Sequence, residues 1–157
     1  MRVVGLLPVN AENLKWYDAF DSVYDGSLKE YMSRIRPDRS EQFEALTADG
    51  LLLWDYILAD GKPVGSVWLE RKSREAQTAV LSILIAEESC RGKHYGEEAL
   101  RLVCRAGAGL LGIRTVELHV RPRNVRAIRC YRKCGFKEAG RFTKPNGVEV
   151  IRMTKKL

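Results

Sequence analysis

The chain has 157 residues, 45% apolar and 30% charged, the size and composition of one globular domain with room for a real core and none for a second domain of ordinary size. No apolar stretch approaches the ~18 residues a membrane span needs, and Met1 to Pro8 carries too short an apolar run for a signal peptide, so a cytoplasmic protein is expected. Lys and Arg outnumber Asp and Glu by 27 to 20, a formal charge of +7, which suits a polyanionic partner: nucleic acid, a membrane surface or a phosphorylated cofactor.

Residues 3 to 7 read as a first strand, ended by Pro8. Asn10 is an N-cap for a helix with Leu14, Tyr17 and Phe20 on one face, and a second helical stretch from about Ser27 carries Leu28, Tyr31, Met32 and Ile35 at i, i+3, i+4, i+7. Pro37 breaks it, and a short helix from Ser40 to Leu46 follows. Asp18, Asp21 and Asp25 form an acidic cluster in an otherwise basic chain: solvated loop carboxylates, or a site that attracts a cationic amine. Leu51 to Ala59 and Val64 to Glu70 make a hairpin about Asp60-Gly61, and an apolar strand over 77 to 86 follows.

A turn rich in glycine and cations, Arg91-Gly92-Lys93-His94-Tyr95-Gly96, then opens a helix to about Leu111. Ala99, Leu100, Val103, Ala106 and Leu110 form its inward face, Glu97 and Arg101 are spaced as an i, i+4 pair, and Gly112 ends it. Thr115 to Val120 is a strand, Asn124 caps a helix of 125 to 134 closed by Gly135, and Phe136 to Thr143 pairs with Val148 to Thr154 around Pro145-Asn146-Gly147. The order β-α-α-β-β-β-α-β-α-β-β predicts an α/β sandwich with a mixed sheet and one strand–helix–strand crossover. Cys90, Cys104, Cys130 and Cys134 lack metal-ligand spacing with His94 or His119, so reduced structural thiols and no metal are expected.

Strand, basic glycine turn and helix in succession aim several backbone N–H groups and the positive end of a helix dipole at one point, which suits a phosphate or pyrophosphate. An ordinary solvated turn has the same composition. The wider pattern resembles the GNAT superfamily of acyl-CoA-dependent N-acetyltransferases. Arg91 and Gly96 match the first and last fixed places of its cofactor loop, while His94 stands where the family has glycine. Asn124 through Phe136 matches the signature N-x-x-A-I-x-x-Y-x-x-x-G-F in full. The element order agrees from end to end, although residues 1 to 75 match in pattern only.

The resemblance implies a three-layer sandwich with a central mixed, mostly antiparallel, twisted sheet of about seven strands and about four flanking helices, in one domain over 1–157. It also implies acetyl-CoA as co-substrate. The loop residues Arg91, Gly92, Lys93, His94, Tyr95 and Gly96 would hold the pyrophosphate, and Leu84, Ile85 and Ala86 would pair with the pantetheine arm. Asn124, Ala127 and Tyr131 would sit beside that arm. His94 keeps its backbone N–H, but a left-handed conformation there would be strained.

Family members use a tyrosine at the place of Tyr131 to protonate the departing thiolate; the inward face also suits Tyr131 as core. In the ribosomal-protein N-terminal acetyltransferases a glutamate base lies in the run Leu-Glu-Val-Arg-x-x-Asn. His119 of Leu118-His119-Val120-Arg121-Pro122-Arg123-Asn124 takes that place, as base or as a half-buried, hydrogen-bonded strand residue. The glutamate that histone-type acetyltransferases use further up the preceding strand falls at Val80, which cannot accept a proton.

The expected activity is acetyl transfer to a primary amine by direct attack, on a small-molecule or peptide amine, with no nucleic-acid or membrane partner, as monomer or homodimer. The acyl-chain preference and the acceptor are left open by residues 10 to 75, which carry no motif. Two rivals remain: a catalytically silent acyl-CoA sensor on the same fold, and a basic nucleic-acid-binding module, for which no recognised motif is present.

Overall fold

A computed structural model describes residues 3–9, 48–85 and 95–157, and for Leu84 and Ile85 the backbone alone. Seven strands, β1 (Val4–Pro8), β2 (Leu52–Ala59), β3 (Lys62–Glu70), β4 (Thr78–Ile85), β5 (Thr115–Val120), β6 (Lys137–Thr143) and β7 (Glu149–Lys156), form one sheet in the order β1-β2-β3-β4-β5-β7-β6. All neighbours are antiparallel except β4 and β5. Helix α1 (Tyr95–Ala106) makes the crossover between that parallel pair, and α2 (Val125–Lys133) follows β5. The helices expected within residues 10 to 46, with their acidic cluster, lie outside the described residues, so two of the roughly four helices are observed.

Local chemistry explains the elements. Asp60 and Gly61 take positive φ of 51° and 78°, the turn whose twist matches the paired strands on either side. Gly112, at φ 67°, and Gly135, at φ 95°, stand where the chain leaves a helix in a left-handed conformation. Asn124 caps α2 by accepting from the Ala127 backbone N–H at 3.3 Å.

One sheet face carries the main core. Ile57, Val67, Leu69, Leu81, Val116, Leu118 and Met153 pack with Ala99, Leu100, Val103 and Cys104 of α1, while Ala127, Ile128 and Tyr131 of α2 lie partly buried against them. Both observed helices therefore cover the same face. The far end of α1 departs from expectation: residues Gly107–Leu111 form a π-helical turn. Its wider winding moves the apolar face on by about one position, so Leu110 is 74% exposed while Leu111 packs against the core. Arg101 pairs with Glu98 at 3.0 Å instead of the expected Glu97, which reaches across to Lys133 of α2 at 3.7 Å.

Candidate active site

Strands β4 and β5 pair through only three residues each, Thr78↔Thr115, Ala79↔Val116 and Val80↔Glu117. Past Val80, β4 continues to Ile85 against β3 alone, and past Glu117, β5 continues to Val120 against β7 alone. Among the described residues no strand pairs with either edge of this opening beyond that point. Extended backbone whose N–H and C=O groups lack a ladder partner is a ready template for an amide-bearing chain, and the backbones of Leu84 and Ile85 lie along this edge. A linear arm with its own amides fits that edge.

The two motif segments meet at one end of the opening. A Cβ built on Gly96 would lie 4.0 Å from Cys130 Sγ, and Cys134 Sγ sits 3.9 Å from the Glu97 carbonyl, so the start of α1 is seated against α2. Tyr95 is buried in the core and anchors that helix N-terminus by packing. Asn124 is exposed at the cap of α2, and Ala127 and Tyr131 are half-buried on its inward face. The Tyr131 ring meets Phe136 edge-on at 6.0 Å. Ala86, Arg91, Gly92, Lys93 and His94 lie outside the described residues, as does Cys90. Burial pushes the thiols of Cys104 and Cys130 up to about 11 and that of Cys134 upward, so these cysteines stay protonated at neutral pH, poor nucleophiles and poor metal ligands. No group of three or more His, Cys, Asp or Glu among the described residues is placed to hold a metal.

His119 belongs to the other face. Val116, Leu118 and Val120 of β5 point into the core beside α1, so strand alternation sends Glu117 and His119 to the opposite side. There His119 Nε2 lies 2.8 Å from Glu117 Oε2, and Arg152, directly across the ladder from His119, donates from Nη1 to Glu117 Oε1 at 3.0 Å. Arg152 also donates from Nη2 to the Ala139 carbonyl at 3.4 Å, where β6 shifts register between Glu138 and Gly140. The Phe142 ring meets the imidazole edge-on at 5.1 Å. Burial alone would raise the Glu117 carboxyl, but the hydrogen bonds from Arg152 and His119 outweigh it and hold it below its ordinary value. Glu117 and Arg152 were not expected from sequence: Glu117 is an alternating strand carboxylate, and Arg152 reaches it only through the β5–β7 register.

A mixed sheet that opens at its one parallel pair, with a helix N-terminus at the mouth, is the fold of the acetyltransferases. Over 98% of this chain and 94% of the other, it superposes with a TM-score of 0.78 at 19% identity on a chimera of Vibrio cholerae spermidine N-acetyltransferase SpeG and hSSAT. Over 98% and 95%, it superposes at 0.73 and 20% identity on aminoglycoside acetyltransferase AAC(6')-Ib in complex with coenzyme A and kanamycin. In sequence it is 30% identical over 156 residues, 90% of this chain and 80% of the relative, to the probable N-acetyltransferase YjcK of Bacillus subtilis (strain 168). The model of the acetyltransferase (GNAT) family matches residues 14–136, and the chain belongs to that family. It is an N-acetyltransferase of a fold family that binds acetyl-CoA. No helix among the described residues is long and apolar enough to cross a membrane.

Proposed function

We propose that the chain is a single N-acetyltransferase domain that acetylates a primary amine of a cationic acceptor, with acetyl-CoA lying in the opening between β4 and β5. The observation that carries this is the arrest of β4–β5 pairing at Val80 and Glu117, with His119 on one face of the sheet and Tyr131 on the helix packed against the other. Acetyl-CoA supplies an activated thioester carbonyl. The edge from Leu81 to Ile85 would hold the pantetheine amides, and a backbone N–H there would meet the carbonyl oxygen as charge builds on it, a contact of about 3 kcal/mol at comparable acyl-transfer sites. Arg91 to Gly96 at the start of α1 would take the pyrophosphate.

The amine nitrogen forms the new N–C bond from the His119 side and gives its proton to the imidazole. The C–S bond breaks, and the thiolate takes the Tyr131 phenolic proton on the α2 side. A phenol of ordinary pKa near ~10 is a competent donor to a thiolate of similar basicity. Asp18, Asp21 and Asp25, which lie outside the described residues, form an acidic cluster in a basic chain that suits a cationic acceptor. Two structurally similar proteins are named for spermidine and aminoglycoside acetylation, which adds support for a cationic acceptor.

Thiol release from acetyl-CoA, followed across polyamines, aminoglycosides, amino acids, neutral amines and peptide N-termini, tests the reading. The expected result is release that depends on the amine and is fastest with a polycation. Fastest release with a neutral amine would overturn the cationic acceptor. Acetyl-CoA binding with no release from any amine would leave the sensor reading.

A further inference from the structure

The hydrogen-bonded row Arg152–Glu117–His119 crosses from β7 to β5 on the sheet face opposite α1 and α2, and it does more than fill space. Glu117 faces Arg152 with one oxygen and His119 with the other, at 3.0 and 2.8 Å. Arg152 is tied in turn to the Ala139 carbonyl at 3.4 Å. A guanidinium has donors only, so Arg152 fixes one carboxylate oxygen as an acceptor and leaves the other aimed at the ring.

We propose that Glu117 is a positioning residue for the acetyl transfer: held by Arg152, it keeps the proton of neutral His119 on Nε2 and so presents Nδ1 as the atom that takes the proton from the attacking amine. The inference rests on the reading of His119 as the base. An ionised carboxylate is acceptor-only, so the ring nitrogen beside it must carry a hydrogen, and the lone pair of the neutral ring is then on Nδ1. Glu117 is only 19% exposed and is held below its usual range, which keeps it ionised at neutral pH. The edge of Phe142 fixes the ring plane from the β6 side. Once the ring is protonated, the adjacent carboxylate stabilises the imidazolium, as in other base–carboxylate pairs. Among the described residues, the charged groups facing the ring are Glu117 on its own strand and Arg152 on β7; β6 contributes Phe142.

The substitution Glu117→Gln gives a sharp prediction. Because Arg152 can only donate, the new carboxamide turns its oxygen to Arg152 and its NH2 to His119, so the ring must accept at Nε2 and carry its proton on Nδ1. The sequence has two histidines, and comparison with His119→Ala assigns their 15N signals. Wild-type protein is expected in the Nε2–H form and Glu117→Gln in the Nδ1–H form. With that change kcat should fall at least tenfold with the KM for acetyl-CoA within twofold. Arg152→Met, on the more exposed end of the row, should keep the Nε2–H form and lower kcat less. Retention of the Nε2–H form and of wild-type kcat in Glu117→Gln would overturn the proposal. Failure of the underlying reading shows separately: His119→Ala would leave the acidic limb unmoved, whatever the tautomer of the wild-type ring.

Discussion

Gly107 and Leu69 approach so closely that a Cβ on the glycine would stand 2.7 Å from the leucine Cδ1, with Ile113 Cδ1 at 3.1 Å. The π turn at the end of α1 thus rests directly on β3, and both neighbours are buried. Gly107→Ala sets a gain in helix propensity of up to ~1 kcal/mol against overpacking of a filled core, typically 1–3 kcal/mol. Since Leu69 is fully enclosed, overpacking should win. The expected net loss is about 1 kcal/mol, read as a fall in Tm of about 2–4 °C for a chain of this size. In a double-mutant cycle with Leu69→Ala the glycine substitution should become neutral or favourable; additive effects would mean that the two sites do not touch.

Asp55 presents the reverse situation, a buried carboxylate with no partner among the described residues. It lies in β2 between Trp54 and Tyr56, is 4% exposed, and its carboxylate has no hydrogen bond or ion pair among the described residues. Burial pushes its pKa up from 3.8 to about 6. The folded state therefore binds the proton more tightly than the unfolded chain. The group's best contribution to stability lies below pH ~4 and is lost as pH rises through about 6, then stays constant. Asp55→Asn removes this titration, so the variant should gain on wild type by about 2–3 kcal/mol between pH 4 and pH 7.5. Thermal melts of both proteins at the two pH values measure it; a stability difference that does not change with pH would show that Asp55 ionises as a solvated carboxylate does.

Much of this architecture was legible because it depends on residues near one another in sequence. Asp60-Gly61, Gly112, Asn124 and Gly135 each act through a local backbone requirement, and the alternation of Thr115 to Val120 predicts strand β5 to the residue. Leu110 misled because periodicity assumes constant helical winding, which the π turn changes. The pairing of Arg101 with Glu98 instead of Glu97 is a rotamer choice between two adjacent carboxylates. The opening of the sheet was implied only through family resemblance, since three residue pairs followed by divergence leave no mark on strand composition. Arg152 was out of reach for a related reason: its meeting with Glu117 requires the register of strands 35 residues apart. Asp55 was overlooked in an apolar run, where a lone carboxylate is itself a signal.

Asn124 has one duty that the structure shows and a second that the family resemblance implies. Its side chain accepts from the Ala127 N–H, and it stands where family members meet the cofactor arm. Asn124→Ala should cost about 1 kcal/mol through loss of the cap, while Asn124→Ser should keep most of that stability because a hydroxyl caps nearly as well. If the amide also contacts the cofactor, the serine variant will melt like wild type yet bind acetyl-CoA several-fold more weakly. Unchanged affinity in a serine variant of normal stability would reduce Asn124 to a helix cap.

Tyr131 is the sharpest test of how the leaving group departs. Its ring is half-buried on α2 against the core and edge-on to Phe136 at 6.0 Å, contacts that phenylalanine would keep. Tyr131→Phe should leave the Kd for acetyl-CoA within error of wild type and lower kcat by about a hundredfold or more, the usual worth of a positioned proton donor. A structural role for the hydroxyl could lower kcat as well, so the decisive comparison uses acetyl thioesters of CoA analogues with progressively more acidic thiols. A better leaving group needs its proton less. The defect of the variant should then shrink along the series, whereas a defect of constant size would mean that the hydroxyl supports the fold of the site and gives no proton to the thiolate.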